Sequence, residues 1–195
     1  MTKLHSIDEL YSTDELYNIS KLGIMNNLCD KYDLFVNIKK LKAYKLKLKN
    51  SWTLWFHSAT ADDWSLESYT KIYEIKSIID FWRVFNNHYS LYGGMYFFMK
   101  NDIKPVYEDS RNKDGGYWSI KISINDSFRI WKLLCLDLLG NSITKKNIVN
   151  GVSICKKKKF FILKIWIKDV KYKDLLNIEL KDIDKTNILF NKFTN

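Results

Sequence analysis

Two periodicities alternate along the chain beyond residue 50. Trp118, Ile120, Ile122 and Ile124 fall on one side of a period-two pattern, with Ser119, Lys121 and Ser123 on the other, which predicts a half-buried antiparallel strand. Phe161, Leu163 and Ile165 alternate with Ile162, Lys164 and Trp166 in the same manner, so Lys164 and Trp166 are expected on one face of a second strand. Helical spacing takes over at Ile78, Phe81, Trp82 and Phe85, where Ser77 is positioned as an N-cap with Asp80 as its partner. It returns at Phe128, Trp131, Cys135 and Leu138, preceded by Asn125-Asp126 and stopped at Gly140. A third, less regular helix is predicted to start near Asp169 and to include Tyr172, Leu175 and Leu176. Three helices interleaved with antiparallel strands describe an α+β layer structure.

The leading segment follows a different pattern. Ser6-Ile7-Asp8-Glu9-Leu10-Tyr11 repeats as Ser12-Thr13-Asp14-Glu15-Leu16-Tyr17, and each copy places Glu three residues after Ser, the spacing of a capping box. Short helices are expected, and two copies are too few for a solenoid. Residues 1–35 carry three lysines against six carboxylates, whereas residues 36–50 carry six lysines and no acid. We place the domain boundary there: an N-terminal extension over 1–48, acidic then basic, and one domain over 49–195.

Composition narrows the class. With 46% hydrophobic and 15% aromatic residues in 195, the chain is expected to fold around a core rather than remain disordered. No apolar run approaches the roughly 20 residues of a membrane span, and Met1-Thr2-Lys3-Leu4-His5 opens neither a signal peptide nor a myristoylation site. A soluble cytoplasmic protein with no membrane association is expected, with the nucleus as an alternative. Cys29, Cys135 and Cys155 have neither disulfide nor zinc spacing, so reduced, buried thiols are expected, with no metal and no cofactor. The net charge of +10 suits an anionic partner. Because the wealth of Lys, Asn and Ile also follows from nucleotide bias, where the charge sits says more than how large it is.

The most specific chemistry lies in Pro105-Val106-Tyr107-Glu108-Asp109, followed by Gly115-Gly116-Tyr117-Trp118 and set among seven tryptophans. A flat aromatic beside a carboxylate can hold guanine: the ring stacks on the base while the carboxylate accepts the N1–H and N2–H2 edge. A second aromatic on the other face makes a cage, and cages prefer cations. Guanine methylated at N7 is a cationic base, so this chemistry points to the 5′ cap of messenger RNA. An enzyme has little support. His5, His57 and His88 lie in no triad or metal spacing, and the Gly93-Gly94 and Gly115-Gly116 pairs read as turns. Glu108-Asp109 alone does not supply the acid cluster that cap hydrolysis would need.

The order of short motifs then becomes specific. Asn50-Ser51-Trp52-Thr53-Leu54-Trp55-Phe56, Asp63-Trp64, Asp80-Phe81-Trp82, the Tyr107-Glu108 segment, Asn112-Lys113-Asp114-Gly115-Gly116-Tyr117-Trp118, Trp131 with Leu133-Leu134-Cys135, and Ile165-Trp166 follow one another at spacings that resemble the translation initiation factor 4E family of cap-binding proteins. The resemblance runs from about Lys49 to the C-terminus and takes in all seven tryptophans. It implies a strongly curved antiparallel β-sheet with three helices on the convex face and the cap site in the concave mouth. It also implies that Trp64 and Tyr107 are the two slabs of the stack, that Glu108 reads the guanine edge and that Trp166 touches the N7-methyl group. A core position is the ordinary reading of Trp166 and the expected one for Trp52, Trp55, Trp118 and Trp131. Tyr107 departs from the family's tryptophan, and its smaller π face predicts weaker cap binding than two indoles would give.

For the cap triphosphate the resemblance implies basic residues in the run Lys156-Lys157-Lys158-Lys159. Lys157 and Lys159 align by count from Gly151, and Lys156 and Lys158 are the candidates if the hairpin slips. A further basic position of the family falls on Ile162; Lys164 is its candidate substitute, and Arg111 is a further phosphate candidate. On the back surface, Trp82 with Ile78 resembles the anchor for a scaffold factor 4G-like protein or a repressor, although Lys132-Leu133 departs from the family pattern there and Trp82 also suits a core edge. Tyr11, Leu16 and Tyr17 approximate the partner motif itself, so the N-terminal segment is a candidate for intramolecular docking. The expected function is binding of capped mRNA (7-methylguanosine triphosphate) for translation initiation. The alternatives are a cap-binding translational repressor, or a non-cap RNA-binding or scaffold protein.

Overall fold

The computed structural model of the chain describes residues 47–87, 91–140, 147–174 and 188–193. Among these, seven strands, β1 (Lys47–Ser58), β2 (Tyr69–Ser77), β3 (Gly94–Lys100), β4 (Gly116–Ile122), β5 (Val149–Lys156), β6 (Phe161–Ile167) and β7 (Ile188–Lys192), form one curved antiparallel sheet. Their order is β2-β1-β3-β5-β6-β4-β7. Helices α1 (Ile78–Asn86) and α2 (Ser127–Leu139) pack on its convex face.

The sheet is apolar on both sides, for different reasons. Toward the helices, Trp52, Leu54, Phe98, Trp118, Ile120 and Leu163 join Phe81, Phe85, Trp131 and Leu134 in the main core. Trp52 stacks on Phe98 across β1 and β3 at 5.0 Å and 6°, and Phe81 and Phe85 of α1 meet Phe98 edge-on at 6.4 and 6.1 Å. Toward the concave side, Trp55, Phe97, Met99, Ile103 and Trp166 form a second, smaller cluster. A strand sheltered on both faces loses its polar alternation, which is why Trp52 to Phe56 reads as an almost unbroken apolar run.

The predicted ends of the elements hold in part. Ser77 Oγ accepts the Asp80 N–H at 3.1 Å and donates to its carboxylate at 2.8 Å, so α1 starts as expected. The N-cap of α2 falls on Asp126, within the predicted pair, but its side chain makes no cap hydrogen bond: Ser123 Oγ accepts the Asp126 N–H at 3.1 Å and donates to its carboxylate at 2.8 Å. Gly140 ends α2 at φ −81°, without using its left-handed freedom. Where the sequence predicts a helix near Asp169, the described residues show one 3-10 turn, Val170–Tyr172, capped by Asp169 accepting the Lys171 N–H at 2.9 Å. Leu175 and Leu176 lie outside the described residues, as do Cys29 and the repeats of the N-terminal extension. Cys135 is buried, but Cys155 is only half-buried.

The second glycine of each pair opens a strand rather than forming a turn. A Cβ on Gly115 would stand 1.9 Å from the Ile167 carbonyl oxygen, and one on Gly116 would stand 2.4 Å from that of Asn191, so β4 needs both to approach β6 and β7. No helix among the described residues is long and apolar enough to cross a membrane.

Candidate functional site

Two loops carry the exposed aromatics Trp64 and Tyr107. The first, 101–115 between β3 and β4, is braced from within. Buried Asn112 donates from Nδ2 to the carbonyls of Lys104 at 3.0 Å and Val106 at 2.7 Å. Its own Oδ1 accepts from Asn150 Nδ2 at 2.9 Å, and Asn150 also donates to the Arg111 carbonyl at 2.7 Å. Asn150 is free to do this because β5 bulges there: the register with β6 passes from Val149↔Ile167 to Gly151↔Trp166 and leaves Asn150 unpaired in the ladder.

Asp109 completes the brace. Its carboxylate accepts the Lys104 N–H at 2.9 Å, the Arg111 N–H at 3.0 Å and Arg111 Nη2 at 2.7 Å. Burial alone would raise its pKa, but these hydrogen bonds and the guanidinium charge bring it down to about 2. Arg111 also reaches Asp102, so the guanidinium expected at a phosphate is held by two carboxylates and builds the loop. Tyr107, 41% exposed, and Glu108 stand at the surface of this frame. The Glu108 carboxylate, by accepting from the Tyr107 hydroxyl, raises that phenol above its ordinary range.

The second loop, 59–68 between β1 and β2, holds Trp64 by one face. The indole is 56% exposed and stacks on the His57 ring at 4.3 Å and 11°. His57 is 1% exposed, its Nε2 lies 2.8 Å from the Asp63 carbonyl oxygen, and the Tyr69 ring leans on it at 4.7 Å. Asp63 takes the Ser65 N–H at 2.8 Å and the Ser65 hydroxyl at 2.7 Å, and the Ser65 side-chain bond is the main cause that lowers its pKa. Tyr69 feels both loops. Burial, then the charge of the Glu108 carboxylate, then that of the Asp63 carboxylate push its phenol up to about 12.

Beneath them lies the concave cluster. Trp166 is on this face, as its alternation predicts, but it is 6% exposed and forms the floor: Nε1 donates to Ser153 Oγ at 3.0 Å, and the ring packs on Phe193 at 4.9 Å. Trp55, expected in the core, is buried here rather than under the helices, and its Nε1 is one of two buried side-chain polar atoms without a partner among the described residues. A groove of about 330 Å³ opens beside it, lined by Ser51, Thr53, Lys71, Asn101 and Lys104 among others.

The lysines separate by direction. Lys164 extends over the Tyr117 ring at 4.1 Å on the Trp166 face, and burial, together with the neighbouring Lys157 ammonium, draws it below the usual lysine range. Lys157 closes the β5–β6 hairpin by donating its N–H to the Phe160 carbonyl at 2.8 Å, and the side chains of Lys157, Lys158 and Lys159 are exposed. Lys156 turns the other way, over Tyr92 and Phe161 on the helical side, because it is the last residue of β5 and alternates with Cys155; this corrects its candidacy for the concave mouth. On the back surface, Ile78 and Trp82 are half-buried on α1, and the Lys132 ammonium of α2 stands 5.8 Å from the Trp82 ring centroid.

Four residues that position this site were not singled out from the chain: His57, Tyr69, Asn112 and Asn150. Asn150 had a signal, a polar residue before Gly151 inside an apolar strand pattern, which marks a bulge. His57 shares a strand face with Trp55, which marks it as inward-facing.

The family model for eukaryotic initiation factor 4E matches residues 47–191. Eukaryotic translation initiation factor 4E1 of Drosophila melanogaster is 30% identical over 134 residues, 65% of this chain and 51% of that protein, and the factor 4E of Candida glabrata is 28% identical over 144 residues, 69% and 68%. The chain thus spans about half the length of the Drosophila relative. Among solved structures, C. elegans eIF4E-3 in complex with the 4E-binding protein Mextli and a cap analog aligns with a TM-score of 0.66 at 22% identity, covering 75% of this chain and 91% of that one. Ascaris suum eIF4E-3 with the m7G cap aligns at 0.66 and 22% identity, covering 77% and 92%. The curved sheet, its order of motifs and the extent of the match agree, and the chain belongs to the eukaryotic initiation factor 4E family.

Proposed function

We propose that this protein binds the 7-methylguanosine cap of mRNA in its concave mouth and delivers it to translation initiation. The observation that carries the reading is an exposed indole, Trp64, on one loop and an exposed phenol–carboxylate pair, Tyr107-Glu108, on another, with the Asp63 and Glu108 carboxylates of these loops both acting on the Tyr69 phenol. A cationic base stacks between the two rings and gives its N1–H and N2–H2 to Glu108. Lys157, Lys159 and Lys164 receive the triphosphate, with Lys158 as a further contact, and act as point charges rather than bidentate forks. Trp166 forms the floor below the N7-methyl group. Two family members of the same fold carry ligands of this kind, the Ascaris protein with m7G and m2,2,7G caps and the C. elegans protein with a cap analog.

Tryptophan fluorescence during titration with 7-methyl-GTP and with GTP at equal salt tests the reading. A preference for the methylated ligand that disappears in Glu108→Ala and Trp64→Ala supports it. Equal, weak, steeply salt-dependent binding of both ligands overturns it in favour of general RNA binding.

The partner is a 4G-like scaffold or a repressor docked at Trp82 and Ile78, by analogy with the C. elegans protein and its 4E-binding partner Mextli. Trp82→Ala should release a scaffold peptide while leaving 7-methyl-GTP binding intact; retention of the peptide sinks this part. Deletion of residues 1–35 tests intramolecular docking, with tighter scaffold-peptide binding as the expected result.

A further inference from the structure

We propose that His57 is a positioning residue of the cap site, a buried π platform that fixes the plane of Trp64 so that a cationic base can stack on the indole's outer face. The inference rests on the cap-binding reading above. The two rings are nearly parallel at 4.3 Å and 11°, and His57 is 1% exposed, so the imidazole is a buried support rather than a surface neighbour. A carbonyl oxygen only accepts, so the 2.8 Å contact to Asp63 puts the hydrogen on Nε2. Nδ1 is then a bare acceptor with no partner among the described residues.

The imidazole is itself fixed, by its contact to the Asp63 carbonyl at 2.8 Å and by the Tyr69 ring at 4.7 Å, and the residue paired with it on β3 is Met95. A flat ring held in this way sets the angle at which the exposed face of the indole meets a stacked base.

The test is titration of the full chain with 7-methyl-GTP and GTP at about pH 7.5. Wild type, His57→Phe, His57→Leu and His57→Ala are compared. His57→Phe keeps an aromatic platform and should bind 7-methyl-GTP within about twofold of wild type, while His57→Ala should bind about fivefold more weakly. His57→Leu keeps the bulk without the π face and should bind as weakly as His57→Ala, which keeps the test available if the Ala variant does not fold. A Leu or Ala variant that binds as wild type does, or a Phe variant that binds as weakly as they do, overturns the role of His57 alone. A wild type that fails to prefer 7-methyl-GTP at about pH 7.5 overturns the cap reading and this inference with it.

Discussion

The loop 101–115 sets Tyr107 and Glu108 on a frame of side-chain hydrogen bonds that reaches inward to the β5 bulge, whereas the loop 59–68 sets Trp64 on one ring contact and a local Asp63–Ser65 turn. The first frame is buried and charged: Asn112, Asn150 and the Asp109 carboxylate are sheltered from solvent, so a lost partner leaves other polar groups stranded. The second is held by π contact and exposed hydrogen bonds, whose loss water can repair. Two loops that serve one ligand therefore differ in what a mutation does to them. Changes in the first should act on the fold and, through it, on binding. Changes in the second should act on binding with little effect on stability.

Breaking the buried frame should give the largest effect. Asn112→Ala strands the Lys104 and Val106 carbonyls and the Asn150 amide, and should cost about 2–4 kcal/mol in urea unfolding, with 7-methyl-GTP binding lost as the loop rearranges. A midpoint close to wild type would mean that the loop does not depend on this frame.

Asp109→Asn comes next, at about 1.5–3 kcal/mol near neutral pH, because it weakens hydrogen bonds made to a charged acceptor. The sign with pH follows from the depressed value. Asp109 sits at about 2 in the folded chain against an ordinary carboxylate value near 3.8, so its contribution is fully present above about pH 4 and is lost as pH falls toward 2. The stability difference between wild type and variant should therefore shrink across that acid window; a constant difference from pH 7 to pH 2 would show that the charge of Asp109 is not what the loop uses.

Tyr107→Trp sharpens the comparison in the other direction. It enlarges the π face on a frame that is already rigid, so 7-methyl-GTP should bind about threefold tighter with no change in unfolding midpoint. Unchanged or weaker binding would count against Tyr107 as a slab. The smallest effect is expected at Ser65→Ala, which removes an exposed hydroxyl from the lighter loop and should alter stability by less than about 0.5 kcal/mol. A larger loss would mean that the Asp63–Ser65 turn carries Trp64 more firmly than its exposure suggests.

Much of the scaffold was legible in the chain because burial follows local period. Trp118, Ile120 and Ile122 alternate into the main core, Phe81 and Phe85 recur at helical spacing into the same core, and the Ser77–Asp80 cap is complete within four residues. The candidate site was legible where chemistry and adjacency coincide, as in Tyr107-Glu108. Direction was harder to read. Whether Lys156 or Lys157 faces the mouth depends on the residue at which β5 ends, and a run of four lysines has no contrast from which to read that end. Arg111 next to an aromatic–acid segment resembles a phosphate ligand until Asp102 and Asp109 are seen around it.

Residue type and period alone determined the α+β class, the inward set of tryptophans at 52, 118 and 131, and the segment that carries Tyr107 and Glu108, because each of these is decided by neighbours within one or two turns of chain. The tertiary structure alone decided that Trp55 and Trp166 form a separate concave floor, that Asn150 reaches Asn112 across 38 positions, and that His57 lies beneath Trp64. The physical reason is that a hydrogen bond between distant segments, or a ring stacked on the inner face of an exposed indole, depends on strand register, curvature and a bulge, and local alternation does not encode these.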